Sequence, residues 1–201
     1  MASENRTFIE EARRAQIIAC AIEVLADQGY AHATLARIAR HAKISTGVIS
    51  YHFGGKMQLI EAVVAEVTRL ATDLMLPRIL AQPTATRALR AYIEGNLDFM
   101  RQHRKPLLAL VEIITHASSE QSGPGPYAAQ AEAAVTDLEK VLDWGRRSGE
   151  FRDFDERTMA ITIRGAIDAV PGRLIHEPGL DLDLLARELV TTFALATRSQ
   201  R

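Results

Sequence analysis

Apolar residues recur along the chain at the spacing of an α-helix. Ala15, Ile18, Ile22 and Leu25 mark the buried face of a first helix, and Gly29 follows as a stop signal. Similar spacing continues through most of the chain, and almost no alternating strand pattern competes with it. We therefore predict an all-α fold.

Two short helices are predicted directly after the first one. Thr34 and Ser45 are residue types that cap helix N-termini, and each precedes a short amphipathic stretch. The second stretch extends to His52 and buries Ile49 and Phe53. Two short helices joined by a tight turn, with a third helix ahead of them, form the minimal module that presents a recognition helix to DNA.

The remaining pattern predicts longer helices and a domain division. A helix from Lys56 to Leu76, closed by Pro77, would link two domains. Further helices are expected at 85–103, 106–118, 127–148, 156–173 and 182–197, with a loop over 123–126 from its glycines and prolines. We predict an N-terminal tri-helical helix-turn-helix domain over residues 1–55, a linking helix over 56–76, and a larger C-terminal helical ligand-binding and dimerisation domain over 77–201.

Composition narrows the class of protein. The 201 residues are 47% hydrophobic and 24% charged, which is ordinary for a globular protein. The lone cysteine, Cys20, rules out an intrachain disulfide, and the sequence contains neither a long apolar stretch nor a signal-peptide pattern. We expect a cytoplasmic protein that does not contact a membrane.

Charge is distributed unevenly between the two parts. Residues 1–60 contain seven basic and five acidic residues, a net charge of +2, whereas the whole chain has a net charge of -1. The remainder is therefore acidic, at -3. The asymmetry in charge is mild, and by itself it proves nothing about function.

The predicted recognition helix presents groups that suit DNA. Its exposed positions combine hydroxyls, an aromatic ring and an imidazole, which can contact base edges and phosphate oxygens. Gly47 permits close backbone approach. The free N–H groups of neighbouring helix N-termini, together with Lys56, suit phosphates. The exposed positions are Thr46, Val48, Ser50, Tyr51 and His52.

These residues together resemble the signature of the tetracycline-repressor (TetR) family. The resemblance covers about a quarter of the chain and comprises Thr34-Leu35-Ala36-Arg37-Ile38-Ala39, the run Ile44-Ser45-Thr46-Gly47-Val48-Ile49-Ser50-Tyr51-His52-Phe53, and then Lys56 and Leu59. It implies an N-terminal DNA-binding domain, a helical ligand domain and a homodimer. Carried over by position, the expected DNA contacts are Thr34, Arg37, Ser45, Thr46, Gly47, Val48, Ser50, Tyr51, His52 and Lys56.

Three positions depart from the family pattern. Lys43 replaces a common glycine in the turn, where a non-glycine residue with positive φ costs on the order of 1 kcal/mol. Ser50 stands where an aromatic residue is usual, so a stacking or phosphate contact is lost. Gly55 replaces a side-chain N-cap. We expect none of these changes to break the fold.

Each motif also has a purely structural interpretation. The three short helices are also compatible with a generic helical hairpin in a core, although the joint motif argues against it. His52 is also compatible with a solvent-facing or capping role. Arg37 and Arg40 are equally compatible with a solvated helix face.

Polar, aromatic and methionine side chains in the second domain suggest a ligand pocket. Glu112 and His116 lie one turn apart on an otherwise apolar helix, where an unpaired polar group is costly. One interpretation is that these two side chains bind a ligand. The other is that they pair with each other or with Arg101 or Arg164. Other candidate lining residues, which are equally compatible with plain core, are Met75, Tyr92, Asn96, Phe99, Met100 and Trp144.

The last two long helices suggest a dimer interface. Each has one apolar stripe for its own domain and a second apolar row that needs another partner. The resemblance implies a four-helix bundle between two copies, and the alternative is an intramolecular pair. The expected interface residues are Ile163, Ala166, Ile167, Val170, Leu189, Val190 and Phe193, with Leu195 in the second row.

Enzymatic function has little support in the sequence. We find no glycine-rich phosphate loop, no nucleophile elbow and no metal-ligand motif, so we expect no enzyme, cofactor or metal. The predicted function is a transcription regulator, by default a repressor released from a palindromic double-stranded DNA operator by an unidentified small-molecule effector. The alternative is a helical small-molecule-binding protein with a vestigial DNA-binding domain.

Overall fold

The computed structural model describes residues 2–120, 126–177 and 179–199. The described part is α-helical without a β-strand, which confirms the predicted fold class, and its one isolated β-bridge joins Phe151 to Arg198. Residues 123–125 of the predicted loop lie outside the described ranges. The α-helices are α1 (Ala2–Gln28), α2 (Leu35–His41), α3 (Thr46–Phe53), α4 (Lys56–Leu80), α5 (Ala85–Gln102), α6 (Arg104–Glu120), α7 (Ala128–Arg147), α8 (Glu156–Asp168), α9 (Val170–His176) and α10 (Leu182–Thr197), with a 3-10 helix at Tyr30–His32.

The chain divides into two compact units. Unit 1 comprises Met1–Thr68 and Lys105–Tyr127, and unit 2 comprises Arg69–Arg104 and Ala128–Arg201. Helix α6 therefore clusters with the N-terminal helices, although the sequence pattern assigned it to the second domain. The functional division at residues 55 and 76 stays a prediction.

Unit 1 is built around the helix-turn-helix. Helix α1 packs on α2 and on the 3-10 helix, and α2 packs on α3. Because α2 and α3 have only seven and eight residues, their stability comes from an apolar core shared with α1 rather than from helix propensity. That core includes Ile17, Leu25, Ile38, Ile49, Leu59, Ile60, Val63 and Ile113.

Unit 2 is a helical layer in which α5 contacts both α7 and α10, and α7 packs on α8. Gly145 permits a close approach at the end of α7, since a Cβ added there would lie 2.1 Å from a ring atom of Phe151. The apolar core of unit 2 includes Leu89, Ile93, Leu138, Leu142, Ile163, Ile167 and Phe193.

Two predicted helix boundaries are wrong for reasons of proline chemistry. Helix α4 continues through Pro77 to Leu80, since the turn after the proline still closes with a bond from Ala81 N to the Pro77 carbonyl at 3.1 Å. The single helix expected over 156–173 is instead two helices. Ala169 is the junction, and Pro171 lies in the first turn of α9, where it is well tolerated.

Within the described ranges, every helix is too short or too polar to cross a lipid bilayer.

Candidate nucleic-acid interface

Two side-chain caps set the start of the helices that form the candidate interface. Thr34 Oγ1 accepts a hydrogen bond from Arg37 N at 3.3 Å, and Ser45 Oγ accepts one from Val48 N at 3.4 Å. Both N-caps are therefore confirmed. Because each cap fixes the first turn of its helix, the exposed side chains that follow are held in defined directions.

The turn between α2 and α3 contains a strained residue. Among the non-glycine residues that the structure describes, Lys43 alone has a positive φ, which is 56°. The turn is held by a bond from Ile44 N to the Ala39 carbonyl at 2.9 Å. A side chain in this left-handed region costs on the order of 1 kcal/mol. The expectation drawn from the replacement of glycine is therefore confirmed.

Helix α3 buries one face and exposes the other. Ile49 is fully buried and Phe53 is 6% exposed, whereas Tyr51 is 76% exposed. Val48 and His52 are half-buried, and the His52 ring packs edge-on to Tyr51 at 5.1 Å between centroids. The side chains that remain exposed are those of Thr46, Ser50 and Tyr51, with Gly47 beside them. This face offers hydroxyl and aromatic groups to a partner.

Helix α1 supplies a residue that the sequence analysis missed. Arg14 Nη1 donates a hydrogen bond to the His52 carbonyl, and its guanidinium lies 4.3 Å from the centroid of the Phe53 ring. A cation at a helix C-terminus satisfies an orphan carbonyl and interacts favourably with the helix dipole. Arg14 therefore fixes the far end of α3. It stands 38 positions before its partner, so no local sequence signal marks it.

The arginines of α2 remain on the surface. Arg37 Nη1 donates to Gln28 Oε1 at 2.8 Å, and Arg40 is exposed. Neighbouring His41 contacts Glu23 at 2.5 Å between Nε2 and Oε2. Because Arg37 bonds a neutral amide and not a carboxylate there, its charge is not neutralised by that contact. A role for Arg37 at DNA stays a prediction.

Lys56 lies at the start of α4, as expected, and is held there by Tyr30. Its Nζ donates to the Tyr30 carbonyl at 3.3 Å and lies 4.2 Å from the centroid of the Tyr30 ring. A phosphate contact by Lys56 stays a prediction. All ten predicted DNA contacts lie between residues 34 and 56 and thus on three successive elements of unit 1.

Glu112 and His116, which were predicted for the ligand pocket, also contact Tyr30. Glu112 Oε2 accepts a hydrogen bond from Tyr30 N at 3.0 Å, and the His116 ring stacks on the Tyr30 ring at 5.2 Å. The two side chains also approach each other, with 3.8 Å between His116 Nδ1 and Glu112 Oε2. Their observed partners are thus protein groups of unit 1.

The other predicted pocket residues belong to unit 2, and most of them are buried and packed. Phe99 and Met100 are each 6% exposed, and Phe99 stacks on His103. Met75 lies against Gly95, where an added Cβ would be 2.9 Å from Met75 Cγ. Trp144 is 39% exposed. These contacts agree with the interpretation as core, and binding of a ligand by any of them stays a prediction.

Tyr92 and Asn96 belong to a buried polar cluster around Arg164. Arg164 is 8% exposed, and its Nη1 donates to Tyr92 Oη and to Asn96 Oδ1, both at 3.0 Å. Its Nη2 donates to Asp168. Burial raises the pKa of the Asp168 carboxyl, and the attraction and hydrogen bond of Arg164 oppose that rise. The cluster is internally satisfied.

Two surface clefts of unit 2 lie away from the predicted pocket. One of about 440 Å³ is bordered by Arg146, Arg147 and Arg152, and one of about 280 Å³ by Asp98, Arg101 and other residues of α5 and α10. The predicted ligand residues line neither cleft. At the larger cleft, Arg146 is ion-paired with Asp153 and Glu156, and Arg147 with Asp143, whereas Arg152 donates to the backbone carbonyls of Ala196 and Asp153.

Four of the residues predicted for the dimer interface are buried within a single chain. Ile163, Ile167, Val170 and Phe193 are at most 6% exposed within a single chain, so their side chains are already used in its own core. Helical spacing shows that a face is buried without showing what it packs on, and the dimer interface itself stays a prediction. Ala166, Leu189 and Val190 are half-buried, and the apolar side chains that α8 and α10 leave exposed are Ile161, Leu184 and Leu195.

Sequence similarity to known proteins is concentrated in part of the chain, whereas structural similarity extends over most of the fold. Residues 17–63 match the family described as bacterial regulatory proteins, tetR family. The HTH-type transcriptional regulator BetI of Escherichia coli O17:K52:H18 is 38% identical over 92 residues, which are 45% of this chain and 47% of BetI. The chain thus matches about half the length of such curated relatives.

Solved structures share the fold at low sequence identity. The fatty acid degradation regulator FadR from Bacillus halodurans superposes with a TM-score of 0.79 at 20% identity, covering 92% of this chain and 99% of that one. FadR from Bacillus subtilis, in complex with stearoyl-CoA, superposes with a TM-score of 0.75 at 22% identity, covering 88% and 95%.

Proposed function

We propose that the chain, whose residues 17–63 match the tetR family of bacterial regulatory proteins, is a sequence-specific DNA-binding transcription regulator of that family. The observation that supports the proposal best is the exposed face of α3. Tyr51, at 76% exposure, stands on a helix whose start is capped by Ser45 and whose end is bonded by Arg14. A rigid short helix with an exposed polar and aromatic face suits readout in the major groove.

The proposed regulator acts as a homodimer on a palindromic operator. Helices α8 and α10 leave Ile161, Leu184 and Leu195 exposed, and burial of such side chains against a second copy is favourable. Helix α8 also has Gly165 on its exposed surface, which permits close approach of another helix. We propose that this exposed row replaces the buried stripe as the dimer surface.

The effector is proposed as a small molecule that releases the operator. Release requires that the effector bind better to an arrangement whose two recognition helices no longer match successive major grooves, about 34 Å apart. The fold is shared with a regulator solved with stearoyl-CoA, which supports ligand binding as a general property of this architecture. Such a repressor would work in the cytoplasm, where bacterial DNA lies.

The test is selection of a preferred site from random duplex DNA at fixed salt, followed by affinity measurements on three variants. Tyr51→Ala is expected to weaken specific binding about tenfold, because it removes a side chain from the reading face. Lys56→Ala is expected to weaken all duplexes and to lower the slope of log K against log salt by about one per protomer.

Lys140→Ala is the matched control, since it removes an equal charge from an exposed position of α7 in unit 2. It should leave affinity and slope unchanged. An enriched palindrome weakened by Tyr51→Ala and Lys56→Ala alone would support the proposal. Absence of any enriched site would overturn it in favour of a helical small-molecule-binding protein with a vestigial DNA-binding domain.

A further inference from the structure

Tyr30, which is not among the predicted DNA contacts, lies at the centre of a small cluster of side chains in unit 1. One of its neighbours, Lys56, begins α4, and the other two, Glu112 and His116, belong to α6. We call these four residues the Tyr30 clasp. All four are half-buried. The clasp thus joins a predicted phosphate contact to a helix that is distant in sequence.

The Lys56 side of the clasp fixes the direction of an otherwise flexible side chain. The ammonium is held from two directions, by the Tyr30 carbonyl at 3.3 Å and by the face of the Tyr30 ring at 4.2 Å. A lysine side chain has four rotatable bonds and loses considerable entropy when it is fixed. The contacts with Tyr30 therefore limit the directions from which the Lys56 ammonium can meet a phosphate.

The α6 side of the clasp holds Tyr30 by both its backbone and its ring. Glu112 Oε2 accepts the Tyr30 N–H at 3.0 Å, and the His116 ring lies over the Tyr30 ring with 19° between planes. Gly29, at φ of 80°, lets the carboxylate approach, since a Cβ there would lie 3.1 Å from Glu112 Oε2. A charge-assisted bond to a backbone N–H is among the stronger hydrogen bonds in proteins.

We propose that Glu112 and His116 are positioning residues for DNA binding, which act on the phosphate contact of Lys56 by fixing Tyr30. This inference rests on the proposed function and assigns it a structural basis in α6. The preorganised ammonium meets a phosphate without a further loss of side-chain entropy. When the clasp is broken, Lys56 keeps its charge and loses its direction.

The test compares the salt dependence of binding to a mixed-sequence duplex, because a phosphate contact is independent of sequence. Glu112→Ala is expected to weaken binding about three- to tenfold and to lower the salt slope by about half to one unit per protomer. Glu112→Gln retains an acceptor for Tyr30 N and should keep most of the slope. Changes are measured between about 50 and 200 mM salt.

Asp27→Ala is the matched control for charge and for contact with α6. Asp27 pairs with Lys105, the second residue of α6, at 3.0 Å, and both side chains are about half exposed. Each alanine variant removes one negative charge from unit 1, so long-range electrostatics alone predicts slightly tighter DNA binding for both. The clasp predicts weaker binding for Glu112→Ala only. The sign therefore separates the two effects.

A double variant ties the effect to Lys56. In the Lys56→Ala background, Glu112→Ala should cause no further change in slope, because the two residues act through one contact. His116→Ala offers a second probe if Glu112→Ala does not fold, and His116→Phe, which keeps the stacked ring, should restore the slope.

Three outcomes are distinguishable. Weaker binding and a lower slope for Glu112→Ala, absent in the Lys56→Ala background, support the inference. A wild-type protein that binds DNA with the same slope as folded Glu112→Ala and His116→Ala overturns the inference alone. A wild-type protein that binds no duplex overturns the proposed function, and the inference with it.

Discussion

The two units use their polar side chains in opposite ways. In unit 1 the predicted functional face of α3 is exposed, with Tyr51 at 76%. The capping residue Ser45 bonds the backbone of that helix. In unit 2 the polar residues singled out from the sequence, Tyr92 and Asn96, are buried and bonded to Arg164. Unit 1 therefore leaves predicted binding groups of α3 exposed, whereas the polar groups of Tyr92 and Asn96 in unit 2 are bonded within their own unit.

This difference explains why one function was easier to identify than the other. A surface that binds DNA must keep particular residue types at particular spacings, so residues 17–63 match a known family. A buried helical core needs only apolar residues of suitable volume at suitable intervals. The chain can therefore share a fold with FadR proteins at 20–22% sequence identity.

The strongest test of this contrast is removal of the buried cation in unit 2. Arg164→Ala is expected to destabilise the protein by about 2–4 kcal/mol, because it leaves buried polar groups of Tyr92 and Asn96 without that donor and Asp168 without its partner. Chemical denaturation followed by circular dichroism measures the loss. This loss of stability is smaller than the loss expected for a fully buried ion pair, because the Asp168 side chain is 49% exposed.

Arg90→Ala is the control, since Arg90 pairs with Glu94 on the exposed surface of α5 and its loss should cost at most about 0.5 kcal/mol. Equal denaturation midpoints for Arg164→Ala and the wild type would contradict the structural role of the cluster. The contrast between the units would then fail.

A smaller effect of opposite sign is expected in the turn of unit 1. Lys43→Gly should stabilise the protein by about 0.5–1 kcal/mol, because glycine adopts φ of 56° without the strain of a side chain, although it gains entropy when unfolded. Lys43→Ala removes the same charge and retains the strain, so it should match the wild type. A Lys43→Ala variant as stable as Lys43→Gly would show that charge, and not backbone strain, is responsible.

The smallest expected effect concerns a remote cap in unit 2. The Glu150 carboxylate accepts hydrogen bonds from Ala85 N at 3.1 Å and Thr86 N at 2.9 Å, at the start of α5. Burial opposes ionisation of this group, but the bonds from Thr86, Ala85 and Ser148 outweigh it and lower the Glu150 pKa. The ionised Glu150 carboxylate therefore stabilises the folded protein at pH values above the pKa that this group has in the unfolded chain. That stabilisation is lost as the pH falls through the lower pKa of the folded protein.

The measurement compares the wild type with Glu150→Gln across pH. At neutral pH the variant should be less stable by about 0.5 kcal/mol, a modest value because this site is only partly buried. The difference should shrink once the pH falls below about 4.3, the ordinary pKa of glutamate. A difference independent of pH would mean that the charge of Glu150 does not stabilise α5.

Several functional details were predictable from local sequence. The caps at Thr34 and Ser45 and the strained turn at Lys43 depend on residues within a few positions of each other, so local chemistry determines them. Contacts over long separations were not predictable. Arg14 meets His52 across 38 positions and Tyr30 meets Glu112 across 82, and no periodic pattern records such pairs.

The sequence by itself determined the all-α class, the helix-turn-helix and the orientation of α3, because helical periodicity specifies which face is apolar. The tertiary structure decided what each apolar or polar face meets. It turned Ile163 and Phe193 inward and directed Glu112 to the backbone of Tyr30. Periodicity is a property of one helix, whereas a partner is chosen by the packing of several, and burial requires each polar group to find its hydrogen bond there.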